Sequence, residues 1–71
     1  MPYAVNDDLP AGVRHHLPEA AQTIYRAAFN HAWITYSADP AQEEIAHRVA
    51  WAAVKRRYAK AGDRWVARGD P

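Results

Sequence analysis

Apolar side chains at Ala21, Ile24, Tyr25, Ala28, Phe29, Ala32, Trp33 and Tyr36 recur every three or four residues, the spacing of a helix with a wide apolar stripe. They predict a long helix over residues 18–36. Upstream, Leu9-Pro10 and Leu17-Pro18 each push the leucine out of helical backbone and offer a preset first turn after the proline. One short helix fits between them, residues 10–16. After Ser37-Ala38, Asp39 stands where a helix cap is wanted, with Pro40 at the first helical position and Gln42 three residues beyond the cap, much like a capping box. A second long helix is therefore expected over residues 40–61. Glu43 and Glu44 sit at its positive end, Lys55, Arg56, Arg57 and Lys60 at its negative end, and Gly62 is free to take a left-handed cap.

Winding residues 43–60 at about 100° per residue leaves one polar strip of Glu44, Arg48 and Lys55. Ile45, Val49, Ala50, Trp51, Ala52, Ala53 and Val54 surround the rest, so this segment is expected to be buried on most sides. Within it Ala46, Ala50 and Ala53 share a sector that lets a neighbouring backbone approach closely, and Trp51 projects away from them. Glu44 and Arg48 are also spaced for a helical ion pair. A linker as short as Ser37 to Asp39 makes the two long helices antiparallel neighbours. The N-terminal helix and the two chain ends must then supply the remaining cover. Beyond Gly62, Arg64-Trp65-Val66-Ala67 has a strand-friendly centre, and Pro2-Tyr3-Ala4-Val5 is its only plausible partner. The pattern thus reads as mainly α: a small single domain over residues 1–71, with one short and two long antiparallel helices, and room for a minor two-stranded sheet pairing residues 2–5 with 64–67.

Composition narrows what such a domain can be. At 71 residues, with 49% apolar and 24% charged side chains, the chain is one small globular unit rather than a disordered or multi-domain protein. The absence of cysteine excludes disulfides, a thiolate nucleophile and Cys-based zinc sites. Met1 to Asp8 lacks the basic region and apolar run of a signal peptide. The longest stretch free of Asp, Glu, Lys and Arg, Ala27 to Ala38, is twelve residues, against about twenty for a membrane span. A soluble, cytoplasmic chain with no direct membrane insertion is the expectation.

Charge is distributed unevenly behind a net +1. Residues 1–47 sum to −4 and residues 48–71 to +5. Basic side chains Lys55, Arg56, Arg57, Lys60, Arg64 and Arg68, with Tyr58 and Trp65 among them, join Arg48 as the candidate partner-binding surface. Cations interleaved with aromatics can neutralise phosphates and stack on bases, which makes nucleic-acid association the alternative function. Helix-dipole complementarity by itself explains four of the six later charges, and a pI of about 8.2 is below the usual basic-domain footprint.

The remaining chemistry is sparse. Glu44 and His47 share a helix face, the half-motif of carboxylate-bridged di-iron bundles, but a working site needs a second pair and two further carboxylates, and the other long helix offers only His31. His15 and His16 diverge around a helix. Two exposed histidines near a helix end and two packed or hydrogen-bonded ones are expected, with no metal or other cofactor. Thr23, Thr35 and Ser37 lie outside any nucleophile-elbow context, and Gly12, Gly62 and Gly69 are too scattered to cradle phosphate. The chain does not read as an enzyme. Tyr25, Phe29, Trp33, Tyr36 and Trp51 read as core.

Met1-Pro2-Tyr3, Asp8-Leu9-Pro10, Leu17-Pro18, the run Ile24-Tyr25 to Ala28-Phe29-Asn30 with Ala32-Trp33 and Tyr36, and above all Glu43 to Lys55, followed by Tyr58 and Trp65, resemble the ChaB family. The resemblance spans Pro2 to Trp65, and the stretch Ala46-His47-Arg48-Val49-Ala50-Trp51-Ala52-Ala53-Val54-Lys55 is its most specific part. It implies a small three-helix domain with a minor sheet near the termini. It also implies a noncatalytic cation transport regulator that modulates a calcium or sodium/proton antiporter by protein contact. This chain departs from the family in its connection between the long helices, often longer and charge-rich but here reduced to Ser37-Ala38-Asp39. The sequence leaves the oligomeric state open.

Overall fold

In the computed structural model, which describes residues 2–69, proline sets the start of the first two helices from just outside them. Met1 of the N-terminal motif and the terminal charge on Asp70 lie outside the described residues. Pro10 precedes α1 (Ala11–His16) and Pro18 precedes α2 (Glu19–Thr35). Each lacks an N–H, yet its carbonyl accepts an early helical bond, from Arg14 at 3.0 Å and from Gln22 at 2.9 Å. A single 3-10 turn, Asn6–Asp8, comes before them. The second long helix, α3, runs Gln42–Arg57. It lies against α2, antiparallel as the short connection requires.

The core forms where the apolar stripes of α2 and α3 face each other. Ala21, Tyr25, Phe29 and Ala32 from α2 meet Ala46, Ala50 and Val54 from α3, and Leu9, Val13 and Leu17 close the end. Ala46 and Ala50 are fully buried, and their small side chains leave room for the Tyr25 and Phe29 rings of the facing helix. An aromatic chain threads the assembly: Tyr3 on Phe29 at 4.8 Å, Phe29 beside Trp33 at 5.8 Å, Tyr25 edge-on to Trp51 at 5.2 Å, and Trp51 against Trp65 at 5.6 Å.

The sheet corrects the expected pairing. It is a local hairpin, β1 (Tyr58–Ala61) antiparallel to β2 (Arg64–Ala67), with Lys60 opposite Trp65 and Ala61 opposite Arg64. Residues 2–5 form no strand. Their backbone is held by a side chain instead: Tyr3 N–H donates to Asn30 Oδ1 at 2.8 Å, and Asn30 Nδ2 donates back to the Tyr3 carbonyl at 2.8 Å. Gly62 is the second half of the correction. Its φ of 65° lies at the first central position of the two-residue turn Gly62-Asp63, where a type II′ hairpin turn needs glycine, so it closes the hairpin rather than capping a helix.

Consequently α3 stops at Arg57, four residues before the expected end, and Tyr58 turns directly into extended backbone. Two of the helix's last carbonyls are satisfied from the far strand side: Arg68 N–H donates to Arg57 O at 2.9 Å and Arg68 Nε to Lys55 O at 3.0 Å. The start of α3 is also later than expected. Pro40 and Ala41 form a turn in which Ala41 N–H donates to Asp39 Oδ1 at 2.8 Å, and Gln42 turns its amide to the Trp33 carbonyl at 2.7 Å, so no capping box forms.

Burial of α3 falls short of the expectation too. The 3-10 turn and α1 pack on α2, and the hairpin continues from the end of α3, so one flank of α3 stays open. Val49 is 37% exposed, Ala52 is exposed and Trp51 is half-buried. Tyr36 leaves the core for the helix end at 41% exposure, and Trp33 is half-buried.

Candidate functional site

The helix-to-hairpin switch at Arg57 decides where the basic residues go. Lys55 is the last-turn side chain nearest the Trp51 edge of α3, and β1 brings Lys60 back opposite Trp65. Lys55 and Lys60 line a shallow cleft of about 300 Å³ with Trp51, Trp65, His16 and Gly12. On the other side of Trp65, Arg64 and Asp63 share a cleft of about 280 Å³ with His15, His16, Leu17 and Pro18. Three of the expected surface residues, Lys55, Lys60 and Arg64, therefore meet around one half-buried indole pair.

The other four are separated from them. Arg48 is exposed and ion-paired with Glu44 at 3.0 Å, as the spacing required. Arg56 turns to the opposite flank of α3, where it ends a trough between the long helices. Arg57 is exposed in the last turn. Arg68 is occupied by the two carbonyls at the end of α3. A basic arc rather than one patch results, because α3 distributes successive side chains around its axis.

The histidines divide differently from the expectation. His15 and His16 are exposed, with His16 Nδ1 2.6 Å from Gly12 O, and His31 is exposed as well rather than packed. It projects to the same trough as Arg56. His47 is the packed one. Its ring lies 4.8 Å from Phe29, its Nδ1 bonds the Tyr25 hydroxyl, and its Nε2 is 3.9 Å from Glu43 Oε2. Burial, reinforced by the nearby Tyr3, pushes the Tyr25 phenol up to about 12, so it keeps its proton beside His47 Nδ1. Burial, then the Glu43 charge, raises the Tyr3 phenol as well. Glu44 faces Arg48 while His47 faces Tyr25, so the pair that shares a spacing does not share a ligand.

Sequence reasoning missed the polar side chains that hold the N-terminal segment. Asn6 is 9% exposed and donates from Nδ2 to Glu19 Oε2 at 2.8 Å and Thr23 Oγ1 at 3.0 Å, while its Oδ1 accepts from Arg26 Nε at 2.8 Å. Arg26 also reaches the Ala4 carbonyl at 3.1 Å, and buried Gln22 donates to the Leu17 carbonyl at 2.9 Å. The signal that could have found them is the polar face of α2 itself: Gln22, Arg26 and Asn30 fall four residues apart, opposite the segment that must be covered. The hydroxyl of Thr35 is likewise spent on the His31 carbonyl at 3.0 Å.

Chemically, the Trp65 surroundings offer cations and an indole face to an anionic or aromatic group, and the trough offers apolar surface. No helix among the described residues is long and apolar enough to cross a membrane. Comparisons with known proteins bear on the family and the fold. The ChaB family profile matches residues 9–68. The protein named "Putative cation transport regulator ChaB" from Escherichia coli K12 is 52% identical over 69 residues, covering 89% of this chain and 91% of that protein, and the Shigella flexneri protein of the same name matches equally. The NMR solution structure of the putative cation transport regulator ChaB superposes with a TM-score of 0.86 at 47% identity, covering 96% of this chain and 100% of the other.

Proposed function

This chain belongs to the ChaB family, and from that premise we propose that it is a noncatalytic regulatory module that modulates a cation antiporter by direct protein contact. The candidate contact surface comprises Arg48, Lys55, Arg56, Arg57, Lys60, Arg64 and Arg68. The observation that carries the reading is a division of labour. The buried Asn6 and Gln22 amides and the buried Tyr25 hydroxyl are committed to internal bonds, whereas Lys55, Lys60 and Arg64 stand exposed around Trp65. The names of the relatives supply the cation-transport part of the proposal. Coexpression with a calcium or sodium/proton antiporter, with transport and copurification measured, tests it. Altered transport and copurification are expected. Unchanged transport without copurification rejects it.

A second reading, nucleic-acid association, is favoured by one feature: a half-buried Trp51–Trp65 pair rimmed by Lys55 and Lys60. Titration of labelled DNA and RNA at low and moderate salt decides between the two. Salt-sensitive binding that is lost on changing Lys55, Lys60 and Arg64 to Ala supports it, and absence of binding at low salt removes it.

A further inference from the structure

We propose that the trough between α2 and α3 docks an amphipathic helix of a partner protein, apolar along one side and bearing a carboxylate where it meets Arg56. The proposal deepens the regulatory reading above and rests on its premise that the chain acts through protein contact. Ile24, Ala27 and Ala28 from α2 and Val49, Ala52 and Ala53 from α3 line about 660 Å³ of open trough. On each helix these positions recur three or four residues apart, a second apolar stripe beside the one already in the core. α2 commits Ala21, Tyr25, Phe29 and Ala32 inward and α3 commits Ala46, Ala50 and Val54. The second stripes receive no such cover, and Val49, Ala27 and Ala52 are exposed.

The shape selects a helix. Two helices side by side leave a seam into which the ridges of a third can fit, and four alanines in the lining let its backbone come close. From Ile24 to His31 the lining extends about 10 Å along α2 at the helical rise, the reach of anchors at i, i+3 or i+4, and i+7.

The charges select its sign. Arg56 and His31 are the polar side chains of the lining, and no Asp or Glu among the described residues joins them. Lys55 is turned away to the indole cleft, while Arg48, four residues before Ala52, is already paired with Glu44, so Arg56 is the cation the trough presents. A second copy seated here by two-fold symmetry would oppose the same lining to itself and bring Arg56 no lining carboxylate. A bilayer face would project large side chains such as Trp, Phe or Leu, whereas here Ile24 and Val49 are the largest apolar groups and Ile24 is half-buried.

The test is methyl and amide NMR of the full chain titrated with two synthetic helical peptides. Both carry leucines at i, i+3, i+4 and i+7, and they differ in having glutamates or lysines beside that stripe. The acidic peptide is expected to shift the Ile24, Ala28, Val49 and Ala52 methyls to saturation and to bind at least about tenfold more tightly than the basic one. Arg56→Glu should reverse that preference. Ala52→Arg should remove binding, and Val66→Arg, on the exposed hairpin, should leave it intact. Any of four results overturns the proposal: no shift with either peptide at millimolar concentration, shifts centred on Trp51 and Trp65, the same methyls shifting with protein concentration alone, or equal shifts with phosphatidylglycerol vesicles. If the peptide binds but no antiporter contact is found, the regulatory reading falls and the trough stands. If antiporter contact survives Ala52→Arg, the trough assignment falls and the regulatory reading stands.

Discussion

The two exposed flanks of the α2–α3 pair are finished in opposite ways. On one, the N-terminal segment is fastened to α2 by Asn6, Arg26 and Asn30, whose polar groups meet backbone and side-chain partners at 2.8–3.1 Å. On the other, Ile24, Ala28, Val49 and Ala52 lie along an open trough with few polar groups. A small domain cannot bury every apolar stripe it carries, since it hides only about 60% of the surface its unfolded chain exposes. The flank that is closed is closed by specific hydrogen bonds rather than by bulk. The flank that is open has the small side chains that helix packing asks for. Stability and the proposed partner contact are therefore assigned to different sides of the same two helices.

Substitutions separate these roles by magnitude. Phe29→Ala empties the shared centre, where the ring is fully buried against Tyr3, Trp33 and His47, and should lower the free energy of unfolding by about 3–5 kcal/mol in urea titration. Trp51→Ala should lose about 2–3 kcal/mol, less because the indole is half-exposed, and should also loosen the hairpin through Trp65, visible as faster amide exchange in β1 and β2. A loss matching that of Phe29→Ala would place Trp51 in the core after all. Asn30→Ala removes two bonds to Tyr3 and should cost about 1–2 kcal/mol, with the Tyr3 ring signals moving away from Phe29.

Alkaline pH sharpens the contrast from another side. The Tyr25 phenol has a folded value of about 12 against 10.0 for the free group, so it is the protonated form that the fold favours. The stability this contributes is complete below pH 10 and is lost as pH rises through about 12. Tyr25→Phe should flatten that decline between pH 10 and 12 in denaturation experiments, and an unchanged slope would show that another group is responsible.

Much of this architecture was legible before any coordinates. Prolines and three-to-four spacing marked the helices within a few residues, and the Glu44–Arg48 pair followed from spacing alone. The sheet was legible only in part. Arg64 to Ala67 showed its strand preference, but Tyr58 to Ala61 read as the end of a basic helix, because helix-end charges and a following glycine fit both outcomes locally. What decides between them is distant: laying Trp65 on Trp51 requires the chain to turn back at Gly62. The Asn30 clamp was hidden for a similar reason, since a side chain replacing a strand partner leaves no periodic signal. The uneven charge singled out the basic candidates but not their dispersal around α3, which sent Arg56 to the trough and Lys55 to the indole cleft.

The sharpest test of the difference between the flanks is a paired measurement of unfolding free energy for Ala52→Arg and Asn30→Ala in the same urea titration. The open flank should accept the arginine within about 0.5 kcal/mol of the parent chain, while the fastened flank loses about 1–2 kcal/mol. An Ala52→Arg chain that is destabilised as much as Asn30→Ala, or more, would mean that the trough belongs to the folded core, and the account would be contradicted.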